Sequence, residues 1–200
     1  MGRKAQYTKD DFIEAALKLV ANHGPAKVSM AAIAKEIEAP IGSVYHRFAS
    51  REILLAEVWI KLIESFQKGF LEAVQADDGL RAALHTLRWV RQHPNKARVL
   101  LLFRRDELTT GDWADDIKDR AEGLNNDLNE GLESFTKNLF GHLSKESMSK
   151  VMFALVQVPA GAVRDFLQTG QPVPEIYDEL VEEMYMSILG KYESKENKTG

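Results

Sequence analysis

The sequence predicts an all-α protein of about nine helices. From Thr8 onward, its apolar residues recur at three- and four-residue spacing, which places them on one face of a helix. Residues that begin and end helices divide this pattern into segments of helical length, and no segment alternates as a strand would. The 200 residues, 44% of them apolar, are enough to bury a sizeable core.

The first helix is predicted over residues Thr8 to His23. Thr8 and Asp11 approximate a capping box at its start, and Gly24 followed by Pro25 ends it. Its apolar residues form a single stripe that includes Phe12, Ala15, Ala16, Leu19 and Val20. We therefore expect this helix to pack against the segment that follows it.

Two short helices separated by a tight turn are predicted over residues 29–48. Ser29 is a good N-cap, and the apolar face of the first helix consists of Met30, Ile33, Ala34 and Ile37. Glu38, Ala39 and Pro40 form the break, because proline disfavours helix at the residue before it and fits the first turn of a new helix. By the same spacing, the second helix, Ile41 to Arg47, buries Ile41, Val44 and Phe48. This arrangement is a helix-turn-helix, whose second helix lies in the DNA major groove.

The second helix exposes residues that are suited to contact with another molecule. Gly42 costs a helix about 1 kcal/mol relative to alanine, so its presence suggests close approach of another surface. Ser43, Tyr45 and His46 offer hydrogen bonds to phosphates or base edges, and Arg47 adds a fixed charge. The predicted DNA contacts are Lys27, Ser29, Ile41, Gly42, Ser43, Tyr45, His46, Arg47 and Arg51.

Charge is distributed unevenly along the chain. Residues 1–51 hold eight Lys and Arg against five Asp and Glu, a balance of +3, whereas residues 52–200 hold 18 against 25, a balance of −7. A basic N-terminal region on an acidic remainder is consistent with binding of phosphates by that region. The positive charge comes from residues that include Arg3, Lys4, Lys9, Lys27, Arg47 and Arg51.

The run GSVYHRF at Gly42 to Phe48, followed by ASREIL, resembles the end of the helix-turn-helix of the TetR family of bacterial transcriptional regulators. Ile33-Ala34-Lys35-Glu36 and the first-helix residues Phe12, Ala15 and Ala16 also fit that family. The resemblance implies that Tyr45 and His46 contact the phosphate backbone. One difference lies in the turn, where the family usually has glycine and serine and this chain has Glu38 and Pro40.

The remainder of the chain reads as further helices that form a second domain. The predicted helices are Arg51 to Gln75, Gly79 to Gln92, Pro94 to Phe103 and Trp113 to Phe140, with breaks at Gly111-Asp112 and at Gly141. We expect an N-terminal DNA-binding domain over residues 1–50, a C-terminal domain for effector binding and dimerisation over residues 51–192, and a flexible tail over residues 193–200.

The last two helices carry more apolar surface than one chain needs. Residues Val151 to Val163 are apolar nearly all round, and the helix from about Glu175 to Lys191 has Ile176, Leu180, Met184, Ile188 and Leu189 in register. Two such helices can pair across a two-fold axis as a four-helix bundle, and the resemblance implies that they do. We therefore expect a homodimer through residues 145–168 and 175–191. The alternative is that both helices only complete the core of the monomer.

Aromatic residues in the middle helices suggest a cavity for a small molecule, and the resemblance implies an effector site in the C-terminal domain. The candidate lining residues are Phe66, Phe70, Trp89, Phe103, Trp113, Asn125, Phe153 and Gln157, with Arg104 or Arg164 as further polar anchors. We expect a hydrophobic or amphipathic ligand. The alternative is that these aromatic residues are core.

Asp112, Asp115, Asp116 and Asp119 favour a helix start over a metal site.

Several function classes are not expected for this chain. It lacks the HExxH, G-x-S-x-G, P-loop and dinucleotide-binding motifs, and its five histidines show no metal-ligand spacing, so we predict no enzyme, cofactor or metal. The absence of cysteine, of a signal peptide and of a long apolar segment predicts a soluble intracellular protein, and the resemblance implies a bacterial cytoplasm. The sequence and the resemblance together predict a repressor that binds a pseudo-palindromic operator as a homodimer and is released by an effector. The alternative is a helical small-molecule-binding protein or adaptor that does not bind DNA.

Overall fold

The computed structural model describes residues 7–103, 113 and 115–193. These residues form nine helices and, within those ranges, no strand, so the predicted all-α fold is confirmed. We number the helices α1 Lys9–His23, α2 Met30–Glu36, α3 Ile41–Tyr45, α4 Arg51–Gln75, α5 Gly79–Gln92, α6 Pro94–Leu102, α7 Asp115–Phe140, α8 Lys145–Met152 continued by Val158–Thr169, and α9 Ile176–Tyr185 continued by Lys191–Glu193. A short 3₁₀ turn, Pro25–Lys27, lies between α1 and α2.

The helix starts follow from capping side chains that the sequence predicted. Thr8 caps α1 in a full capping box with Asp11, and hydrogen bonding to Thr8 holds the pKa of the Asp11 carboxyl below its usual value. The Ser50 hydroxyl accepts the backbone N–H of Ile53 at 3.2 Å and so caps α4. These caps set where the two helices that support the helix-turn-helix begin.

The apolar side chains pack into two main cores. The N-terminal core joins α1, α2 and α3 to the first three turns of α4, and its largest fully buried side chains are Phe12, Ile33, Phe48, Leu54, Leu55 and Leu62. The C-terminal core joins the end of α4 to α5, α7, α8 and α9 around Phe70, Leu87, Phe135 and Tyr185. Packing of the N-terminal core thus continues past residue 50 into α4.

Helix α6 lies between the two cores. Val99 of α6 is buried in the N-terminal core and Ala97 is buried in the C-terminal core, while Leu100 packs against both. Lys96 forms an ion pair with Glu14 of α1, with Nζ and Oε1 3.8 Å apart. α6 therefore contacts both parts of the molecule.

Both C-terminal helices contain a π-helical segment, Phe153–Gln157 in α8 and Met186–Gly190 in α9. In α8, Val158 N–H donates to the carbonyl of Phe153 five residues back, directly before Pro159. Proline has no N–H to donate to the fourth preceding carbonyl, so the hydrogen-bond pattern must change at this point. The helix nevertheless continues to Thr169, where Gly170, with φ of 71°, ends it.

The structure departs from three of the predictions about the helices. The helix predicted from Trp113 begins at Asp115 in the described residues, and Trp113 is buried but not helical. Ile41, predicted to be buried, is 48% exposed, because it occupies the first turn of α3 where nothing covers it. The segment Val151 to Val163, predicted to be buried on more than one side, leaves Phe153 45% exposed within this chain.

Some predicted features lie outside the described residues. They are Arg3 and Lys4 of the N-terminal segment, Arg104, the break at Gly111-Asp112, and residues 194–200 of the tail.

Candidate nucleic-acid interface

The helix-turn-helix is built by α2, the turn after it, and α3. Ser29 caps α2 by accepting the N–H of Ala32 at 3.1 Å, and Ile33 on the opposite face is completely buried. Val44 and Phe48 anchor α3 and the residues after it in the N-terminal core. One face of α3 is thereby fixed against the protein, and the other is exposed.

The outward face of α3 combines apolar, aromatic and hydrogen-bonding groups. Ile41 is 48% exposed and Tyr45 55%, and Gly42 and His46 are exposed beside them, while Ser43 is half-buried. A Cβ added to Gly42 would meet no atom within 4 Å, so packing of the protein itself does not require a glycine here. Close approach of a partner to the backbone at Gly42 stays a prediction.

The turn between α2 and α3 is held by contacts with the beginning of the chain. Glu38 has φ of 54°, a left-handed conformation that few residues other than glycine adopt. The Tyr7 hydroxyl donates to the carbonyl of Glu38 at 3.0 Å, and the N–H of Ala39 donates to Ala34 at 2.8 Å. Pro40 then stands at the N-cap of α3. Glu38 and Pro40 therefore preserve the two-helix geometry.

Arg47 and Arg51 are bound within the protein, in contrast to the sequence prediction that Arg47 faces outward. Arg47 is half-buried and donates from Nε and Nη2 to the carbonyl of Tyr7, at 3.0 and 2.6 Å. Arg51 donates from Nε to Val28 and from Nη2 to Pro25, each at 2.6 Å. The prediction about the orientation of Arg47 is wrong because a backbone carbonyl 40 residues away satisfies its guanidinium. Contact of either arginine with phosphate stays a prediction.

The remaining basic residues divide between internal pairs and open surface. Lys18 pairs with Glu36 at 2.5 Å between α1 and α2, and Lys61 of α4 pairs with Asp10. Lys27 and Ser29 are exposed on the segment that leads into α2. Lys27, Ser29, Tyr45 and His46 are the predicted contacts whose polar groups lie on the open surface.

Tyr7 is a residue that sequence reasoning missed. Its hydroxyl holds the turn at Glu38 and its carbonyl holds Arg47, so it links the start of the chain to both ends of α3. Its ring also packs on Phe12, with centroids 6.1 Å apart. The only signal in the sequence was its position directly before the Thr8 capping box, where an apolar residue often packs back on the helix.

The eight predicted effector residues do not form one pocket. Between α4 and α5, the ring of Phe66 packs on those of Phe70, Trp89 and His85, and Phe70 also packs on His85, with ring centroids 5.2–6.4 Å apart. This cluster is dense, because a Cβ on Gly69 would lie 2.6 Å from His85 Cε1. Burial lowers the pKa of His85, whose Nε2 lies 2.8 Å from the Phe66 carbonyl.

The other five candidates are dispersed over the molecule. Phe103 packs against the N-terminal core, Trp113 belongs to a small cluster with Ile60 and Ile117, and Asn125 is exposed on α7. Phe153 and Gln157 are exposed on α8, where they line a shallow groove with Met152 and Ile188. Arg164 is exposed as well. Helical spacing could not show which of these side chains the folded protein brings together.

Within residues 7–103, 113 and 115–193, no group of three or more His, Asp or Glu residues is placed to hold a metal ion. Asp115 and Asp116 lie in the first turn of α7, where negative charge interacts favourably with the helix dipole. None of the helices in the same ranges is both long and apolar enough to cross a membrane.

Residues 12–58 match the family of bacterial regulatory proteins described as the tetR family. The match begins in α1, includes the whole helix-turn-helix and ends in the second turn of α4. No curated protein matches this chain.

Several solved structures are similar to the whole chain. A tetR family transcription regulator from Shewanella sp. PV-4 shares 19% identity, with a TM-score of 0.65, over 93% of this chain and 98% of the other. A fatty acid degradation regulator, FadR, from Bacillus halodurans shares 15% identity and a TM-score of 0.68, over 94% and 97%. A TetR family transcription regulator from Marinobacter aquaeolei VT8 shares 20% identity with this chain and has a TM-score of 0.64, over 90% of this chain and 94% of the other. At these identities the likeness shows a common fold.

Proposed function

We propose that this chain, whose residues 12–58 match the tetR family of bacterial regulatory proteins, is a TetR-family transcriptional regulator, and that it is a ligand-responsive repressor that binds a pseudo-palindromic operator as a homodimer. The observation that carries the DNA-binding part is the outward face of α3, where Tyr45, His46 and Gly42 are exposed on a helix whose opposite face is anchored in the core. In the docking geometry of such motifs this face enters the major groove.

Tyr45 and His46 are the residues proposed to contact the phosphate backbone. Both are exposed and neither helps to fill the N-terminal core, so their side chains are available to a partner. Lys27 and Ser29 lie at the start of α2, where a second set of backbone contacts would fix the orientation of α3 in the groove. Phosphate contacts of this kind make binding strongly dependent on salt.

Homodimerisation is proposed through α8 and α9. Ile176, Leu180 and Met184 recur at four-residue spacing along α9 and are all exposed, and Phe153 of α8 is exposed too. A groove lined by Met148, Met152 and Ile188 separates the two helices. Exposed apolar side chains on both helices fit a two-fold interface between copies of the chain.

Release by an effector is the remaining part of the proposal. An effector can shift the operator equilibrium only if it binds the non-binding state of the dimer more tightly than the binding state. Like α4, α6 contacts both cores, through Ala97 on one side and Val99 on the other, and it also packs against α1. Movement of α6 is therefore the proposed route from the body to α1. The absence of catalytic activity stays a prediction.

The first test is binding to duplex DNA. An operator is selected from a random duplex pool with the full chain, and affinity is then measured by fluorescence anisotropy at several salt concentrations. We expect Tyr45→Ala and His46→Ala each to weaken binding by about 5- to 30-fold, a loss of about 1–2 kcal/mol for a hydrogen bond to charged phosphate, without changing thermal stability.

The matched control is His142→Ala, because His142 is exposed on the turn between α7 and α8, far along the chain from the helix-turn-helix. It should bind the selected duplex like the unmodified protein. Unchanged affinity in both the Tyr45 and the His46 variants would overturn the contact assignment, and salt-independent or undetectable binding of any duplex would overturn DNA binding altogether.

A further inference from the structure

A cavity of about 290 Å³ lies between α5, α6, the end of α8 and the segment that joins α8 to α9. Its walls are mainly apolar and include Val90, Pro94, Phe166, Leu167 and Val173. We call it the Arg98 cavity, because the side chain of Arg98 from α6 also lines it. None of the eight residues predicted as effector ligands lines this cavity, so it is distinct from the site that the sequence suggested.

Two arginines line the cavity, Arg91 and Arg98, and Arg98 has an unsatisfied hydrogen-bond donor. Its Nε atom is buried and has no hydrogen-bond partner, and within residues 7–103, 113 and 115–193 no carboxylate forms an ion pair with it. A buried guanidinium N–H without an acceptor costs free energy, because it has lost water and gained nothing in exchange. A ligand that supplies an acceptor would remove this cost.

The second arginine of the cavity is already satisfied. Arg91 donates from Nε to the Val173 carbonyl and from Nη2 to the Pro174 carbonyl, both at 3.0 Å, and its Nη1 pairs with Asp178. These bonds fix the segment after α8 against α5 and so build one wall of the cavity. They also neutralise the charge of Arg91, which leaves Arg98 as the cation available to a ligand.

The end of α8 lies beside the guanidinium of Arg98. Gly170 has φ of 71° and turns the chain away from the helix axis, after which Pro172 and Val173 close over the cavity. A Cβ on Gly170 would lie 3.6 Å from Arg98 Nη1, so the guanidinium lies directly beside this turn. The space next to the guanidinium is therefore bounded by backbone and apolar side chains.

We propose that the Arg98 cavity binds a small monocarboxylate that carries an apolar group, with its carboxylate paired to the guanidinium of Arg98 and its apolar group against Phe166, Leu167 and Val90. Arginine matches a carboxylate with two parallel hydrogen bonds. A single negative charge is specified because one cation is unpaired, and a dianion such as a phosphate would leave an uncompensated charge in an apolar cavity. The volume fits a ligand of about ten non-hydrogen atoms, at the small end of ligand pockets.

The second part of the inference is that the bound ligand regulates operator binding, and this part rests on the proposed function. Arg98 projects from α6 between Ala97, which is buried in the C-terminal core, and Val99, which is buried in the N-terminal core. A ligand that binds Arg98 and shifts its side chain can therefore shift α6, the helix that packs against α1. Occupancy of the cavity is expected to change the affinity for operator DNA.

The binding test uses two carboxylates of different shape, phenylacetate and octanoate, with their neutral amides phenylacetamide and octanamide. Calorimetric titration of the full-length protein should show one site per chain for a carboxylate and binding at least tenfold weaker for its amide, since the amide cannot make a charged pair. Arg98→Met should weaken carboxylate binding by about 10- to 100-fold and leave amide binding nearly unchanged.

Two further variants separate this site from a general effect of charge or folding. Arg98→Lys keeps the charge and should lose less carboxylate affinity than Arg98→Met. Arg88→Met removes an exposed arginine of α5 that does not line the cavity, and it should bind like the unmodified protein. Lack of binding of both carboxylates up to millimolar concentration, equal binding of carboxylate and amide, or unchanged binding in Arg98→Met would each overturn the site.

The regulatory part is tested by measuring operator affinity with and without the carboxylate that binds. A change in the unmodified protein that is absent in Arg98→Met supports coupling through α6, and an identical operator affinity with and without ligand contradicts it. Calorimetry involves no DNA. If the protein binds the carboxylate but no duplex, the proposed function has failed and the site has not.

Discussion

Single residues in the helix-turn-helix hold backbone geometry that a sequence pattern does not reveal. Glu38 adopts φ of 54° in the turn between α2 and α3, the position where the family usually has glycine. A side chain at positive φ is strained, because its Cβ crowds the neighbouring carbonyl. The Tyr7 hydroxyl donates to the carbonyl of this same residue, so the turn is kept by a contact from outside the motif.

Replacing Glu38 with glycine should therefore stabilise the protein. Removing Cβ relieves the positive-φ strain, although glycine also gains freedom in the unfolded chain, and we expect a net gain of about 0.5–1 kcal/mol in the free energy of unfolding. Urea unfolding followed by circular dichroism, at one fixed protein concentration, measures the change.

The control for this substitution is Lys35→Gly. Lys35 is exposed in α2 with ordinary helical geometry, so glycine there should destabilise by about 1 kcal/mol. A lower unfolding free energy for Glu38→Gly would show that the backbone of Glu38 is not strained in solution.

At the scale of helices, close packing depends on glycines placed where two elements meet. Gly79 begins α5, and a Cβ at this position would lie 2.2 Å from the Tyr185 hydroxyl and 2.6 Å from Phe135 Cζ. Tyr185 of α9 is almost completely buried, and its hydroxyl donates to Glu193. Burial raises the pKa of Tyr185 far above its usual value, so it remains a neutral donor.

Gly79→Ala should destabilise the protein by about 1–3 kcal/mol, because Tyr185 and Phe135 must move to admit a methyl group. The matched substitution is Gly123→Ala in α7, where a Cβ meets nothing within 4 Å and alanine should instead stabilise the helix by about 1 kcal/mol. Chemical unfolding of both variants checks the opposite signs. Equal effects would mean that helix propensity alone governs both positions and that α9 does not pack over Gly79.

Most helix boundaries could be predicted from sequence because caps act locally. Ser50 begins α4, Pro94 begins α6 and Gly141 follows α7 as the spacing and the capping residues indicated. Contacts between distant segments could not be predicted in this way. Arg47 was expected to face outward, yet its partner is the carbonyl of Tyr7, 40 residues earlier, and no local pattern encodes that pairing.

The same distinction between local patterns and contacts of distant segments applies to the candidate sites. In and after α3, the burial of Val44 and Phe48 and the exposure of Tyr45 and His46 follow from spacing, because one helix must bury one face and expose the other. A cavity needs several helices at once, and spacing does not say which faces meet. Phe66 and Trp89 therefore proved to be packed together while Phe103 lies against the other core, and Arg98, which lines a real cavity, gave no signal in the sequence.

At the scale of the whole molecule, two helices of the described ranges join the N-terminal and C-terminal cores. α4 places Leu54 and Leu55 in the first core and Phe70 and Val74 in the second, and α6 lies beside it. Arg120 of α7 adds ion pairs to Glu57 at 2.8 Å and Glu64 at 3.2 Å on α4. A change in the C-terminal core can therefore reach the N-terminal core through either helix.

The surface of α9 divides into faces that predict how two copies of the chain meet. Val181, Tyr185 and Leu189 point into the C-terminal core, whereas Ile176, Leu180 and Met184 form an exposed stripe along a neighbouring face. Glu182 is exposed as well, but at 100° per residue it lies about 200° around the helix from Leu180. A stripe of three large apolar side chains left in water would be costly, at roughly 25 cal/mol per Å² of apolar surface.

Leu180→Arg should therefore convert the proposed dimer into a monomer, because a two-fold interface would bring two arginines together in an apolar surface and leave both without partners. Sedimentation equilibrium at micromolar concentration measures the molecular mass, with Glu182→Arg as the control that places the same side chain away from the stripe. Operator affinity should fall with the loss of the dimer, since one helix-turn-helix reads only a half-site. A dimeric Leu180→Arg, or a monomeric unmodified protein, would contradict the interface on α8 and α9.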